Sequence, residues 1–464
     1  YNRIIKEENM LPTTREYVDR EKKSIFTTTL DDSPVIQKGK GVYFLGLDGR
    51  KYIDFTSQVS LLNTGYCPDR VVRALKHTAE TEHSGISADW PFCFEFEGME
   101  ISRAALAEKL IEISDRVMPF PKKIMFEVSG ATAVNAALKI AKISYLRKKL
   151  GEEEVARRLE YFNNENIFIP SHHDIFRFSF LHCHCSFHGR HAEAHCLTNS
   201  KSVQLWGASS SGAFGRLTFP DASRTEEEIK KEVDNLISGL SIYAPVIAFV
   251  FEPIQGEGGF RVPDKKNIRT LIGYLGSKGI YIIADEIQAG LGRAGKMFAC
   301  EHFGIEPDMI ILSKSLGAGV PIGAVIANSE KFPDLLSGMH SGSHHCTPLA
   351  CAAAIVNLKL IEQNLPNAEK MGEYLHKRLD EMKESFSNFV KEVRGKGLMI
   401  GVEFYNVDDR NYIIKKAKII ERDLGLLLAP CGKSAIRFCP PIIINEEQIE
   451  EGLSIFKKAL ETLL

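Results

Sequence analysis

The feature that most constrains the fold is a regular alternation of apolar and amphipathic segments between residues 245 and 312. The run PVIAFVFEP (245–253) is almost entirely apolar, and residues 264–278 follow it with helical periodicity. Two more apolar runs come next, IYIIAD (280–285) and MIIL (309–312). Because near-continuous apolar strands that alternate with helices are typical of parallel sheets, the sequence predicts an α/β fold around a largely parallel sheet.

Other segments extend this prediction toward both ends of the chain. After residue 346 the character changes, and a long helical stretch (348–386) precedes the segment 393–404, which predicts a second, smaller α+β unit. Patterns nearer the amino terminus predict a strand pair over 41–55, helices over 68–80 and 99–113, and a strand at 124–128 that leads into a helix.

Composition excludes several classes of protein. The chain has 464 residues, 44% hydrophobic and 25% charged, which is ordinary for a globular enzyme and favours two domains. A formal net charge of −2 argues against recruitment of nucleic acid or of an anionic membrane, and no apolar run is long enough to span a bilayer. Ten cysteines without a CxxC pair and a charged amino-terminal stretch predict reduced thiols and a cytoplasmic location.

Two charged residues stand directly at the ends of these apolar runs. Asp285 closes the run 280–285, and Lys314 follows the run 309–312 at the start of SKSLGAG. Because the carboxyl ends of parallel strands open onto one cleft, the two side chains are expected to meet. A pyridoxal phosphate enzyme needs such a pair: the lysine forms a Schiff base with the cofactor, and the carboxylate keeps the pyridine nitrogen protonated. For each residue taken singly there is an alternative: Lys314 as an ordinary surface lysine, and Asp285 as a helix N-cap.

Longer motifs cover nearly the whole chain. They are DGRKYIDF (48–55), LLNTGYCPD (61–69), FHGR (187–190), EPIQGEGG (252–259), the block 284–325 and IRFCPP (436–441). Together they resemble the class III aminotransferases, the fold-type-I group of pyridoxal phosphate enzymes that includes 4-aminobutyrate and ornithine aminotransferases. The resemblance implies a large cofactor-binding domain (67–345) with a mixed, mostly parallel sheet, a small α+β domain (346–464), and an amino-terminal segment (1–66) that packs with the small domain. It also implies a homodimer or a dimer of dimers with active sites at the subunit interface.

The resemblance implies a role for each residue around the cofactor ring. Lys314 would carry the cofactor and, once released, act as the general base, while Asp285 would pair with the pyridinium. Ile287 would press on the ring and Gln288 would hydrogen-bond its phenolic oxygen. Phe187 would stack on the other face, next to the cofactor-binding His188, although a core aromatic is the alternative for Phe187.

The phosphate is expected at the amino end of a helix, held by Ser129, Gly130 and Ala131. Here the chain departs from the family's usual Ser-Gly-Thr/Ser-Glu-Ala, because Ala131 lacks a hydroxyl and Thr132 replaces a glutamate. Ser343 aligns with a threonine that reaches the phosphate from the partner subunit. Its surroundings, SGSHHCTPLA, also depart from the usual Thr-Phe-Gly-Gly-Asn-Pro.

Four residues carry the implied substrate specificity. Arg190 would hold a carboxylate distant from the reacting amine, and Arg437 would clamp the carboxylate beside the keto carbon of 2-oxoglutarate. Glu257 would cover Arg437 when no carboxylate is there, with an ordinary salt bridge as the alternative. Val59 would line the pocket wall or belong to the core. The implied reaction is ping-pong transfer of an amino group from an omega-amino acid (4-aminobutyrate, ornithine or lysine) to 2-oxoglutarate.

Two other functions stay open at this level. Some members of the family are amino-acid racemases or epimerases, and the carboxyl-terminal segments EKMGEYLHKRL and VRGKGLMIGVEF resemble those enzymes as well. A non-catalytic scaffold is disfavoured by the intact Lys314, Asp285 and Gln288.

A histidine- and cysteine-rich segment invites a metal-binding interpretation. Seven of the fourteen histidines lie between residues 172 and 195. The segment has no CxxC pair, and in a strand His182 and His184 would face the opposite side from Cys183 and Cys185, so we predict no metal site. The role of this segment and of the insertion 143–180 is left open.

Overall fold

A computed structural model describes residues 13–26, 33–81, 86, 90–151, 153–154, 157, 177–201, 204, 212–336 and 338–464. Within these residues a seven-stranded sheet forms the centre of the molecule. Its strands, in spatial order, are Lys122–Glu127, Gly323–Asn328, Met309–Leu312, Tyr281–Asp285, Val246–Phe251, Ser179–Cys183 and Ala213–Leu217. The central strands are buried along almost their whole length, which explains why they appear in the sequence as continuous apolar runs.

The strand directions confirm a mixed, mostly parallel sheet. Gly323–Asn328 pairs antiparallel with both of its neighbours, and every other pairing in the sheet is parallel. Two reversals restore the direction, so Lys122–Glu127 runs the same way as Met309–Leu312. The carboxyl ends of six strands therefore lie along one edge of the sheet, where ligands bind in open α/β folds.

Helices pack around this sheet and begin at side chains that cap their free amides. Ser129 caps Gly130–Leu150, Asp264 caps Lys265–Ser277, and Thr347 caps the long helix Pro348–Ser385. The other right-handed α-helices of the described residues are Thr14–Ser24, Asp69–Glu80, Arg103–Ser114, Ala192–Cys196, Glu226–Ser241, Cys300–Phe303, Val407–Ala417 and Glu446–Glu461. Single helical turns are Ser57–Ser60 and the 3₁₀ turn Lys314–Gly317.

Two four-stranded sheets are built largely from the ends of the chain. One contains Val390–Lys396, Met399–Phe404, Ala435–Phe438 and Ala429–Cys431. The other joins Ile36–Lys40, Tyr43–Gly46 and Lys51–Asp54 to Leu424–Leu427, so that amino-terminal and carboxyl-terminal segments share one sheet. A hairpin of Cys93–Phe96 and Met99–Ser102 stands apart from them. The domain boundaries at 66 and 345 stay a prediction.

Most predicted elements are confirmed, and one is corrected. Helical periodicity over 99–113 predicted a single helix, but Met99–Ser102 is a strand and the helix is Arg103–Ser114. The physical reason lies at Ser102, whose hydroxyl accepts a hydrogen bond from the Ala105 amide and starts the helix there. A periodic apolar pattern alone does not locate such a cap.

Arg293 is a fully buried cation that joins three parts of the chain. Its Nη2 donates to Asn63 Oδ1 (2.6 Å) and Ser57 Oγ (3.1 Å), and its Nη1 donates to the carbonyl oxygens of Leu398 (3.0 Å) and Pro440 (2.5 Å). Burial lowers the pKa of Arg293 to about 10. The guanidinium remains charged at neutral pH and satisfies acceptors from both ends of the chain.

We expect Arg293→Met to lower the free energy of unfolding by about 3 kcal/mol, because buried acceptors such as Asn63 Oδ1 lose their donor while the apolar stem is kept. The urea midpoint at fixed protein concentration measures the effect. Lys296→Met is the matched control, since Lys296 pairs with Glu369 on the surface and its loss should stay within about 0.5 kcal/mol. Equal midpoints for the two variants would contradict this role of Arg293.

Two further observations bear on the compositional predictions. None of the helices described by the structure is both long enough and apolar enough to cross a membrane. All ten cysteines are free thiols.

Candidate active site

The carboxyl-terminal edge of the central sheet brings polar side chains from distant segments together. Asp285 ends one strand and Lys314 follows its parallel neighbour, with Asp285 opposite Ile311 in the register. Glu252 follows the strand on the other side of Asp285. The predicted meeting of Asp285 and Lys314 at one edge of a parallel sheet therefore corresponds to the observed topology.

A cavity of about 290 Å³ opens at this edge. Ten of the residues predicted from the sequence line it: Ser129, Gly130, Ala131, Phe187, His188, Arg190, Asp285, Ile287, Gln288 and Lys314. Gly189, His191, Glu252 and Ser313 also line the cavity. The sequence implied an orienting role for Glu252 and placed Gly189 in the FHGR motif, whereas His191 and Ser313 were not predicted. The signal for Glu252 was the same as for Asp285, a carboxylate directly after an apolar run.

The first turn of the Gly130–Leu150 helix forms one wall of the cavity. Ser129 and Thr132 make a capping box, in which Ser129 Oγ accepts from the Thr132 amide (3.3 Å) and Thr132 Oγ1 accepts from the Ser129 amide (3.1 Å). The Thr132 hydroxyl is therefore already engaged in the capping box. The structure shows no described acceptor for the amides of Gly130 and Ala131, which leaves them available at the positive end of a 21-residue helix. A side chain at 130 would place its Cβ 2.9 Å from Ile287 Cδ1, so the Ile287 side chain would have to shift.

Asp285 is buried and held on both oxygens. His188 Nδ1 lies 2.7 Å from Asp285 Oδ2, and the amide of Ile287 donates to Asp285 Oδ1 (3.1 Å). His188 Nε2 and Gln288 Nε2 are buried with no hydrogen-bond partner among the described residues. These two unsatisfied polar atoms in the wall of the cavity are expected where a polar ligand completes the site.

Glu252 fixes the backbone on two sides of the cavity. Its Oε1 accepts from the Phe187 amide (2.9 Å) and its Oε2 from the Gly256 amide (2.8 Å). Burial raises the pKa of Glu252 to about 7, and the charge of Asp285 adds to this effect. Glu286 has a different task, since it accepts from the amides of Ala299 and Cys300 and shapes a neighbouring loop.

Lys314 opens a short 3₁₀ turn with φ of 38°, a left-handed conformation that is strained for lysine. Burial lowers the pKa of the Lys314 amine, and the positive charge of Arg437 acts in the same direction against the raising effect of Glu257. A neutral amine is the form that attacks an aldehyde or accepts a proton, so these surroundings suit a nucleophile or a general base.

Glu257 and Arg437 form a buried ion pair next to this lysine. Arg437 Nη2 donates to Glu257 Oε1 (2.8 Å) and to the carbonyl oxygen of Pro430 (2.8 Å), while Nη1 is buried without a partner among the described residues. Burial lowers the pKa of Arg437, but Glu257 together with Cys431 and Cys439 outweighs it and the net shift is upward. Burial raises the pKa of Glu257, but Arg437 together with Lys314 and Lys201 keeps it below its ordinary value. Arg190 lies elsewhere in the site, exposed, with its guanidinium 5.5 Å from the centroid of the Phe187 ring.

Four predicted residues lie outside the lining of the cavity: the paired Glu257 and Arg437, and also Val59 and Ser343. Val59 is 38% exposed and belongs to a turn, Ser57–Ser60, whose four residues all have positive φ, from 46° to 62°. Four successive non-glycine residues in the left-handed region store strain. Ser343 is exposed in the segment before the Pro348–Ser385 helix, and its predicted contact belongs to a partner subunit.

In the described part of the histidine- and cysteine-rich segment, the histidine side chains make contacts with different partners. His182 Nδ1 lies 2.8 Å from Ser186 Oγ, His188 contacts Asp285, and His195 Nε2 contacts the carbonyl oxygen of Gln204. Burial lowers the pKa of His182 well below its ordinary value. His172 and His173 lie outside the described residues, as does most of the insertion 143–180.

Comparison with known proteins places this site in a family. Residues 28–460 match the model of the class-III aminotransferases. The chain is 33% identical over 439 residues to the acetylornithine aminotransferase of Methanocaldococcus jannaschii, covering 94% of this chain and 95% of that one. It is also 32% identical over 438 residues to the leucine/methionine racemase of Thermococcus litoralis, covering 92% and 91% of the two chains. The crystal structure of ornithine aminotransferase from Toxoplasma gondii ME49 superimposes with a TM-score of 0.76 at 26% identity, covering 98% of this chain and 96% of that one.

The fold and the site thus define a pyridoxal-phosphate-dependent enzyme of fold type I. The chain belongs to the class-III aminotransferase family, whose substrates are small amino and keto acids. The residues present fit the cofactor: two free amides at a helix amino end suit its phosphate, the buried Asp285 suits a protonated ring nitrogen, and the unsatisfied Gln288 Nε2 offers a hydrogen bond.

Proposed function

We propose that this enzyme transfers the amino group of an omega-amino acid to 2-oxoglutarate by a ping-pong mechanism. The observation that carries the proposal is the buried Glu257–Arg437 pair beside Lys314. An enzyme that binds two different substrates in turn at one site must offer a carboxylate site to one of them and withdraw it for the other. A guanidinium covered by a displaceable carboxylate meets this requirement.

Arg437 is suited to bind the carboxylate beside the keto carbon of 2-oxoglutarate. Its side chain is 3% exposed, so a carboxylate there is bound with little competition from water. The unpaired Nη1 and the Nη2 now bonded to Glu257 together offer the two parallel donors of a bidentate contact. Glu257 can move away from Arg437 and still keep a positively charged partner, because Lys201 Nζ is 3.8 Å from its other oxygen.

Arg190 is suited to bind the second carboxylate, the one distant from the reacting carbon. It lines the cavity but is exposed, and its guanidinium rests near the Phe187 ring. An exposed and stacked arginine adapts to donors of different length more readily than a buried one. This placement favours 4-aminobutyrate, ornithine or the side-chain amine of lysine as the donor.

Residues of this chain would supply the remaining chemistry. Pyridoxal phosphate, when bound, supplies a protonated ring that takes up the electron pair left when a proton leaves the substrate carbon. Asp285 would hold that ring proton, and Ser129, Gly130 and Ala131 would bind the phosphate. Ile287 and Phe187 would enclose the ring, with Gln288 at its oxygen and His188 orienting Asp285. Lys314 would hold the cofactor and then move the proton, a task for which its lowered pKa is suited.

We also propose a homodimer or dimer of dimers, with Ser343 completing the phosphate site of the partner. The exposure of Ser343 in the single chain supports this proposal. Val59, in the strained turn Ser57–Ser60, would face the substrate in the assembled enzyme, since strained backbone is concentrated at functional sites. The domain division at 66 and 345 is proposed with it.

The proposed reaction is tested by initial rates with a panel of donors. Purified holoenzyme is given 2-oxoglutarate with 4-aminobutyrate, ornithine, N-acetylornithine, lysine or alanine, and glutamate is measured. Parallel lines in double-reciprocal plots are expected for an omega-amino donor, because each substrate reacts with a different form of the enzyme. Intersecting lines, or activity confined to alanine, would contradict the proposal.

Arg437→Gln should raise the KM for 2-oxoglutarate by roughly 100-fold and change the KM for an omega-amino donor far less, because only the former has a carboxylate beside its reacting carbon. Glu257→Gln should have the opposite effect and raise the KM for the omega-amino donor by about tenfold, because Arg437 then stays uncovered. The two KM values, measured separately, check the split. Arg378→Gln, which removes a surface arginine bonded to Glu450, should change neither KM; equal changes in both KM values for Arg437→Gln would refute the switch.

Racemisation is the second candidate, supported by relatives of that activity at similar identity. The alanine/serine racemase of Pyrococcus horikoshii is 31% identical over 481 residues. A racemase must deliver protons to both faces of the substrate carbon, and besides Lys314 the described cavity wall holds His188, His191 and Glu252 as proton carriers. Incubation of L-amino acids without any keto acid decides the matter, because only a racemase accumulates the D form under those conditions.

A further inference from the structure

Three side chains that suit a metal ion converge outside the wall of the active-site cavity. Glu127 ends the strand Lys122–Glu127, and His340 and His345 lie in the segment before the Pro348–Ser385 helix. One ligand atom from each lies within 4.8 Å of the other two, and no other such group occurs among the described residues. His345 Nε2 is 3.3 Å from Glu127 Oε2, and His340 Nε2 contacts Glu127 Oε1.

We propose that Glu127, His340 and His345 bind one divalent transition-metal ion of the zinc class. Two imidazole nitrogens and one carboxylate oxygen are a ligand set that zinc and its neighbours prefer over magnesium or calcium. Bonds of about 2.0–2.1 Å in tetrahedral geometry place ligand atoms about 3.3 Å apart, which is the separation of His345 Nε2 and Glu127 Oε2. The carboxylate excludes a phosphate or another anion as the occupant.

Burial strengthens the assignment of a cation. The Glu127 side chain is 2% exposed and each histidine side chain is 18% exposed. A buried carboxylate requires a compensating charge or hydrogen bonds, and the two imidazoles are its partners among the described residues. A divalent ion between the three groups provides that charge and leaves a fourth coordination position for water.

The backbone around His345 is shaped to bring its ring into this position. The His345 amide donates to the carbonyl oxygen of Gly342 (2.9 Å), which closes a tight turn. A Cβ on residue 342 would lie 2.3 Å from His345 Nε2, so any other side chain would displace the ring. The rings of His340 and His345 are 5.5 Å apart, which leaves each nitrogen free to face Glu127.

A metal ion at this site would connect two segments close to the active-site cavity. Glu127 lies two residues before Ser129, the first residue of the helix wall of the cavity, and Ser343 lies between the two histidines. A bound ion would tie the 340–345 segment to the end of the strand that leads into that wall. The site is distinct from the histidine- and cysteine-rich segment 172–196.

The test uses purified holoenzyme without a polyhistidine tag, dialysed against buffered micromolar Zn²⁺ and then measured for metal by mass spectrometry. One zinc per chain is expected. His340→Gln and His345→Gln should bind zinc more than about 100-fold more weakly, because loss of even an outer-shell partner costs 10- to 100-fold. His344→Gln is the matched control, since His344 is exposed in the same segment and outside the group; it should bind zinc as the wild type does.

Substitution by Co²⁺ identifies the ligands independently of activity. A nitrogen and oxygen site gives visible d–d bands without the intense near-ultraviolet charge-transfer band of a thiolate ligand. These bands should be absent in Glu127→Gln, which keeps the shape of the side chain but not its charge. Three results would overturn the proposal: zinc below about 0.1 per chain in the wild type, unchanged binding in both histidine variants, or a thiolate band that places the ion at a cysteine.

Discussion

Lys314→Ala should lower kcat by at least about 10⁴-fold, the largest loss expected for any single change in this chain. General-base catalysis alone contributes roughly 10²- to 10⁴-fold, and the variant also loses the covalent link to the cofactor. Asp285 and Glu252 at the neighbouring strand ends are carboxylates, which cannot form a Schiff base in place of the lysine. The rate of glutamate formation measures the loss.

Chemical trapping distinguishes a lost base from a misfolded enzyme. Borohydride reduction of the wild type followed by peptide mass spectrometry should place the reduced cofactor adduct on Lys314, and the variant should carry none. Lys296→Ala is the control, because Lys296 lies in the same sequence block and pairs with Glu369 on the surface. An adduct on another lysine of the wild type would overturn the assignment of the site.

Asp285→Asn should reduce kcat by roughly 10³-fold while leaving the fold intact. The asparagine has the same shape, and its oxygen can still accept from the Ile287 amide, but it carries no charge to hold a proton on the cofactor ring. Removal of one preorganised electrostatic contact typically costs 10²- to 10³-fold, and this one is buried. Steady-state kinetics and the visible spectrum of the bound cofactor report the change.

The opposite end of the same strand provides a control for Asp285→Asn. Asp308 accepts a hydrogen bond from the Ile282 amide (2.8 Å) at the amino end of Tyr281–Asp285, far from the cavity edge. Asp308→Asn should lower the thermal midpoint and leave kcat within about twofold, since it affects stability and not the site. Comparable kcat for the two variants would show that Asp285 acts only by holding the strand.

The central sheet and the residues at its edge could be predicted because both leave local signals in the sequence. A buried parallel strand is a continuous apolar run, and a functional residue directly follows it, as Asp285 and Lys314 do. The strand Met99–Ser102 was missed because a two-stranded hairpin leaves too short a pattern to separate it from the helix that follows.

Other features could not be predicted because they depend on contacts between distant residues. Glu127 and His340 are 213 positions apart, and nothing in either segment indicates that they meet. The hydrogen bond between His188 and Asp285 spans 97 positions. The left-handed turn Ser57–Ser60 contains no glycine, so its backbone is imposed by the surrounding structure and leaves no mark in its composition.

The shared sheet at the chain ends has a consequence for biosynthesis. Lys51–Asp54 pairs with Leu424–Leu427 only after the residues between them have been synthesised, and the Tyr43 hydroxyl donates to Glu451, 408 positions later in the chain. Contacts of such long sequence separation form late and slowly. The strand Lys51–Asp54 therefore lacks this partner while the intervening chain is being made, and a chain without the helix Glu446–Glu461 would expose apolar surface to chaperones.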